Sequence, residues 1–333
     1  MPISTACAPA DERWVVVRVL VTGADGFVGR YLVARLAETG HEVIAGCRPG
    51  GEPVERWVDS GQGQGVRSVP LELTDSGSIQ AALSQPCDAV VHLAAIARVS
   101  EARQDPGRAW VVNAAGTARL TEAVLARREK NGGDPVVLVA SSAEVYGSGP
   151  PVPRRETDPL LPQSAYAASK VAAEIAALEV WRRSGLRVII ARPFQHTGPT
   201  QPKQYVVPSF VERLLAARAA GATRVPTGNL EPVRDLLDVR DVTDAYLALL
   251  SRGVAGEVYN IARGEGIKLR ELFHRLADLV GVRVDPVPDP ALIRSSDIPY
   301  LVGDGSKLRN ATGWLPHITL DQTLRELVDA QTH

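Results

Sequence analysis

The segment SAYAASKVAAE, Ser164 to Glu174, sets Tyr166 and Lys170 four residues apart in a run of small side chains. On a helix that offset puts both on one face, about 5–6 Å apart at Cβ. An ammonium so close to a phenol favours the phenolate, and the spacing predicts a lowered tyrosine pKa. Tyr166 then reads as a group that can donate and accept a proton near neutral pH. A tyrosine–lysine pair at this spacing is common by chance, so its surroundings decide. Upstream, ASSAEVYG supplies Ser141, Ser142 and Glu144. A hydroxyl at Ser142 can hydrogen-bond a substrate carbonyl while Tyr166 protonates it. The six histidines are scattered without ligand spacing, and Cys7, Cys47 and Cys87 form no CxxC. No metal site and no disulfide framework is expected.

Such groups need a scaffold that brings them together. RWVVVRVLVTG reads as a buried strand, and GFVGRYLVARLAETG as a helix with Val28, Leu32 and Leu36 on one stripe. Further strands are expected over HEVIAGCR, GVRSVPLEL, CDAVVHLAA, DPVVLVASSA and LRVIIARP. Helices are expected over SGSIQAALSQ, over Trp110 to Lys130, and over the segment carrying Tyr166 and Lys170. Near-continuous apolar strands alternating with helices predict an α/β fold. The expected architecture is a Rossmann-type doubly wound parallel sheet with a smaller C-terminal substrate-binding lobe. Residues 1–193 are assigned mainly to the dinucleotide-binding domain, with residues 1–14 loose on the surface. Residues 194–333 are assigned mainly to the smaller lobe, with a strand at GEVYNIA returning to the main sheet.

The first strand-to-helix turn, VTGADGFVG, spaces Gly23, Gly26 and Gly29 as GxxGxxG, with Asp25, Phe27 and Val28 among them. Gly23 permits a tight turn, Gly26 lets backbone N–H groups approach a pyrophosphate, and Gly29 lets helix lie close on strand. The second strand ends in GCRPG, without the acid that would hold a ribose 2′-hydroxyl. Arg48 there can pair with a 2′-phosphate instead, which favours NADP(H) over NAD(H). Glu72 and Leu73 stand where such folds enclose adenine, and Leu93, Ala94 and Ala95 line the middle of the cofactor. Pro193 ends the sixth strand beside it. Ligands of open α/β sheets bind beyond the carboxyl ends of the strands. Ser142, Tyr166 and Lys170 are therefore expected to meet at the nicotinamide.

TGADGFVG, HLAA, VNAAGT, SSAEVYG and YAASK resemble landmarks of the extended short-chain dehydrogenase/reductase (NAD-dependent epimerase/dehydratase) family, over about residues 15 to 330. The resemblance implies a catalytic set of Ser142, Tyr166 and Lys170, with Asn113 near the cofactor and the active-site helix. The C-terminal half is similar to that of family members that reduce GDP-4-keto-6-deoxy-D-mannose. It implies reduction of the C4 ketone of a nucleotide-linked 6-deoxyhexulose by NAD(P)H, giving GDP-D-rhamnose or its C4 epimer. Arg234 and Arg294 would reach the nucleotide diphosphate, and Ala143, Glu144, Gln195, His196 and Val207 would border the substrate. Gln195 stands where the family usually has asparagine. Ala143 replaces the first acid of the Asp-Glu pair found in many sugar dehydratases, while Glu144 remains. A 4,6-dehydratase or epimerase on the same scaffold thus stays open, as does a remoter NAD(P)-sensing regulator. The helices over Trp110–Lys130 and Ser164–Ser184 imply a homodimer through a four-helix bundle.

With a formal net charge of -1, the chain has no general electrostatic pull on nucleic acid or membrane. No apolar run approaches the ~20 residues of a membrane span. The N-terminus lacks the basic start and apolar core of a signal peptide, so a cytoplasmic enzyme is expected.

Overall fold

The computed structural model describes residues 17–51, 54, 65–293 and 297–332. Residues 1–14 and Arg294 lie outside them. The first half runs β1 (Arg18–Thr22), α1 (Phe27–Glu38), β2 (Glu42–Cys47), β3 (Val66–Pro70), α2 (Ser76–Ala82) and β4 (Ala89–His92). It continues with α3 (Val99–Gln104) and α4 (Pro106–Ala109), then a π-helical segment (Trp110–Ala115) that leads into α5 (Gly116–Asn131). β5 (Val136–Ala140), a 3-10 turn (Ala143–Tyr146), α6 (Ala165–Ser184) and β6 (Arg187–Pro193) complete it. The second half holds β7 (Gln195–Thr197), α7 (Val206–Ala220), β8 (Arg224–Thr227), β9 (Val233–Asp238), α8 (Val239–Arg252) and β10 (Val258–Ile261). After these come β11 (Gly266–Lys268), α9 (Leu269–Val280), β12 (Asp285–Pro288), β13 (Tyr300–Leu301), α10 (Ser306–Thr312) and α11 (Leu320–Thr332).

Seven parallel strands form the main sheet in the order β10-β6-β5-β4-β1-β2-β3. Both faces are covered, which is why the strands are apolar at almost every position. Along β1 the side chains alternate between layers: Val19 and Val21 pack with Leu32, Leu36 and Leu249 on one face. Leu20 packs with Leu120, Val124 and Ala177 on the other. The strand order reverses at β1 and β4, and such a switch point opens a crevice at the carboxyl ends.

β10 pairs in parallel with β6, the return to the sheet read from GEVYNIA. β3 is shorter than expected: it stops at Pro70, and Leu71 keeps only one bond, from its N–H to the Cys47 carbonyl at 2.7 Å. The long helix expected from Trp110 is interrupted at its start by the π-helical segment. In the smaller lobe β9 pairs with β7, β11 and β13. Beside it α7, α9 and α11 enclose a separate core around Phe210, Phe273 and Leu324. Among the described residues no helix is long and apolar enough to cross a membrane.

Candidate active site

The crevice begins at the glycine turn. Gly23 has φ of +68°, and a Cβ there would stand 2.8 Å from the Ala94 nitrogen. Gly29 has no room either, since a Cβ would lie 2.2 Å from the Gly23 carbonyl oxygen. The ends of β1 and β4 are tied by Thr22: its Oγ1 accepts from the Ala94 N–H at 3.1 Å and meets His92 Nδ1 at 2.8 Å. Gly26 is the N-cap of α1 and supplies no side-chain cap. The first-turn N–H groups, at the positive end of the helix dipole, therefore face the crevice uncapped by any side chain, which fits a pyrophosphate. The turn accordingly has both the tight geometry and the donors that a dinucleotide requires.

Around this turn the expected cofactor residues are spread as follows. Arg48 stands at the end of β2 with its side chain 81% exposed, and its Nε lies 3.4 Å from Asp25 Oδ2. Glu72 accepts from both the N–H and the hydroxyl of Thr74, each at 3.0 Å. Leu73 is buried against Gly116 at the start of α5. Leu93, Ala94 and Ala95 are half-buried in the loop after β4, and Pro193 is half-buried at the end of β6. Phe27 and Val28 open α1, half-buried. The Phe27 ring stacks on His196 at 6.3 Å between centroids, joining the glycine turn to the smaller lobe.

Ser142, Tyr166 and Lys170 converge at the end of β5. Ser142 is the N-cap of the 3-10 turn, and its Oγ accepts from the Glu144 N–H at 3.2 Å. It also lies close enough to Tyr166 to favour its phenolate. Lys170 is 6% exposed and donates to the Ala140 carbonyl at 2.8 Å. The expected lowering of the phenol pKa is not found. Burial pushes Tyr166 well above the ordinary tyrosine value, the Glu144 carboxylate adds to the rise, and Ser142 opposes it. Burial lowers Lys170 itself to about 8, against the pull of Glu174. At neutral pH the phenol keeps its proton and the amine its charge.

Asn113 holds this arrangement from behind. The side chain, 1% exposed, accepts from the Ile96 N–H at 2.8 Å. It donates to the Ile96 carbonyl at 3.1 Å and to Ser169 Oγ at 2.9 Å. It thus clamps the loop after β4 onto α6. π-Helical turns commonly re-aim a side chain at a functional site, and Asn113 sits within one. His92, fully enclosed between Thr22 and Thr117, is pulled down to about 3 by burial first and by Lys170 second, and is neutral.

On the substrate side, Ala143 is buried and Glu144 half-buried beside Tyr166. Gln195 lies on β7 with a buried Oε1 that has no protein partner. His196 bonds the Phe194 carbonyl at 3.0 Å and is lowered by burial. Val207, 1% exposed, belongs to the core of the smaller lobe. Arg234 donates to the carbonyls of Val233 and Ile298, at 2.9 and 2.7 Å. Its neighbour Asp235 turns instead to the N–H groups of Arg263, Gly264 and Gly303. A hollow of about 280 Å³ lined by Arg263, Glu271, Arg275 and Asp321 lies in the smaller lobe and includes none of these residues. Thr22, His92, Ser169, Glu174 and Arg192 were not singled out from the sequence. Only Glu174 carried a readable signal, an acid one helical turn beyond Lys170 in an alanine-rich stretch.

Comparison with known proteins agrees with this geometry. The profile of the NAD dependent epimerase/dehydratase family matches residues 19–262. The chain is 38% identical over 316 residues to GDP-6-deoxy-D-mannose reductase of Pseudomonas aeruginosa, covering 93% of this chain and 96% of that protein. It is 32% identical over 325 residues to dTDP-glucose 4,6-dehydratase of Streptomyces antibioticus, covering 94% and 92%. A solved structure of RMD from Pseudomonas aeruginosa complexed with NADPH superposes with a TM-score of 0.79 at 36% identity, covering 95% of this chain and 98% of that one. Matched by the family profile over most of its length and by relatives along nearly all of it, the chain belongs to the NAD dependent epimerase/dehydratase family.

Proposed function

We propose that this protein reduces the C4 ketone of a nucleotide-linked 6-deoxyhexulose, with GDP-4-keto-6-deoxy-D-mannose as the first candidate, using NADPH in preference to NADH. The observation that carries the reading is the meeting of Ser142 and a fully protonated Tyr166 at the end of β5, one crevice away from the glycine turn. Identity to a GDP-6-deoxy-D-mannose reductase supports the choice of substrate, and the NADPH complex of RMD supports the choice of cofactor. The bound nicotinamide supplies the reducing equivalent. Gly23, Gly26, Gly29 and the first turn of α1 would hold its pyrophosphate, and Arg48 would take the 2′-phosphate. Ser142 orients the ketone oxygen, Tyr166 Oη gives it a proton, and Lys170 stabilises the charge left on the phenol. Gln195, His196 and Arg234 hold the nucleotide sugar from the smaller lobe, so residues 1–193 mainly serve the cofactor and 194–333 the substrate. Binding energy from the diphosphate, remote from C4, keeps the ketone in place.

One observation favours a second reading. The Glu144 carboxylate acts on Tyr166 directly, and a second acid is what a dehydratase would use. The experiment that separates the two offers the keto sugar and GDP-mannose in turn. Consumption of one NADPH per keto sugar supports the reductase, whereas turnover of GDP-mannose with no added reductant overturns it.

The assembly and setting belong to the same proposal. A homodimer through α5 and α6 is supported by exposed apolar side chains on α6 and on the segment leading into α5: Ile175 is 60% exposed, with Trp110 at 46% and Val111 at 44%. A cytoplasmic setting is supported by the free thiols of Cys47 and Cys87.

A further inference from the structure

Directly behind the cluster lies an ion pair that none of the roles above uses. Glu174 and Arg192 are 3% and 4% exposed. They meet through two parallel bonds, Nε to Oε1 at 2.9 Å and Nη2 to Oε2 at 2.7 Å. Ser141 Oγ donates to Glu174 Oε1 as well. Arg192 continues to the Tyr146 hydroxyl at 3.0 Å, which donates to Asn260 Oδ1 at 2.6 Å. Attraction inside a buried pair barely offsets the desolvation of its two ions, so stability alone is a poor account of it.

Its position suggests the use. Tyr166, Lys170 and Glu174 follow one another at four-residue steps along one face of α6. Each faces a different residue at the end of β5: Tyr166 stands beside Ser142, Lys170 donates to the Ala140 carbonyl and Glu174 accepts from the Ser141 hydroxyl. A helix rises about 1.5 Å per residue, so a small slip of α6 would take all three out of reach. Arg192, on β6, anchors the third contact to the neighbouring strand.

We propose that Glu174, backed by Arg192, is a positioning residue for this site: it locks the register of α6 on the end of β5 and holds a carboxylate one helical turn from the Lys170 ammonium. The proposal deepens the ketoreductase reading and rests on it for its kinetic part alone. Titratable groups around Lys170 are His92 from β4, held neutral, Tyr166 and Glu174 from α6, and Arg192 from β6 beyond Glu174. Glu144, from the 3-10 turn, acts on Tyr166. Of these, only Glu174 raises Lys170.

The test replaces Glu174 by Gln in the full chain and follows the ionisation of Lys170, one of five lysines, through its Cε chemical shift. The resonance is assigned with Lys170→Met. The midpoint is expected to fall by about one unit. The alkaline limb of kcat then moves with it, so turnover drops about fivefold at pH 8 and hardly at all at pH 6. Glu174→Asp keeps the charge and returns the midpoint toward that of the native chain. Should Glu174→Gln fail to fold with Arg192 left unpaired, the doubly neutral Glu174→Gln, Arg192→Gln chain is titrated instead, with a smaller fall expected because the more distant Arg192 charge is lost too. A Lys170 midpoint that stays put in the folded neutral variant overturns the proposal. A midpoint that falls while the native chain consumes no NADPH with the keto sugar upholds the positioning role and sinks the ketoreductase reading.

Discussion

A tyrosine that is to protonate an alkoxide must reach it still carrying its proton. Tyr166 meets that condition, because burial and the Glu144 carboxylate both disfavour its phenolate, which suits the proposed reduction better than the lowered pKa its spacing from Lys170 suggests. Tyr166→Phe is expected to cut kcat by about 10²–10⁴-fold, the usual worth of a positioned acid, with NADPH affinity within about threefold by fluorescence titration. A variant with near-native kcat would remove Tyr166 from the reaction. In the proposed reading Arg48 carries the choice between the two nicotinamide cofactors. Its side chain is mostly in solvent and its contact with Asp25 is long at 3.4 Å, so turning it to a phosphate disrupts little. Arg48→Ala should raise KM for NADPH about tenfold, the loss of one charge-assisted pairing, and leave KM for NADH as it was. An equal rise for both cofactors would deny Arg48 a 2′-phosphate.

At the scale of elements, the site depends on how closely α1 enters behind β1 and how α6 lies on β5. The first contact is set by Gly29, whose missing Cβ would meet backbone atoms at 2.2 and 2.7 Å. Backbone cannot move aside as a side-chain tip can. Gly29→Ala should therefore cost about 1–3 kcal/mol of stability through overpacking, and dinucleotide affinity should fall by more than about tenfold as the first-turn N–H groups shift. Calorimetry reads both. An alanine variant that binds NADPH normally would mean that the turn is looser than its contacts indicate. The second contact is the three-step row of Tyr166, Lys170 and Glu174, and Asn113 steadies it from the other side.

For the molecule as a whole, buried neutral groups at the strand ends make stability depend on pH. His92 titrates at about 3 when folded and bridges Thr22 to Thr117, whereas an unfolded histidine titrates near 6.5. Below that value the unfolded chain binds a proton that the folded chain refuses, so stability falls with acid. Asp235, raised to about 6 by burial, runs the other way: it favours folding at low pH and loses that contribution as pH rises through 6. Comparing His92→Gln with the native chain isolates the histidine. The stability difference between the two should change by about 2 kcal/mol between pH 7 and pH 5 in favour of the variant, measured by urea unfolding. A difference that is flat with pH would show that His92 titrates normally.

What the chain order determined by itself was local and periodic: apolar strands alternating with helices, a glycine triplet at the first turn, a strand at Val258–Ile261 to extend the sheet, and a serine, tyrosine and lysine in the right succession. These were legible because glycine spacing, helical offset and strand burial are each set by a few neighbouring residues. Tertiary structure alone decided the rest. Val207 reads as a pocket residue but belongs to a core assembled from α7, α9 and α11. Glu174 shows in the sequence only as an acid one turn beyond Lys170, and its partners appear once β5 and β6 bring Ser141 and Arg192 to it from 33 and 18 residues away. The direction of the Tyr166 shift was likewise out of reach, because it depends on how much water the fold removes and which charges remain close. Spacing along a helix says which side chains are neighbours, but only packing says what solvent they have lost.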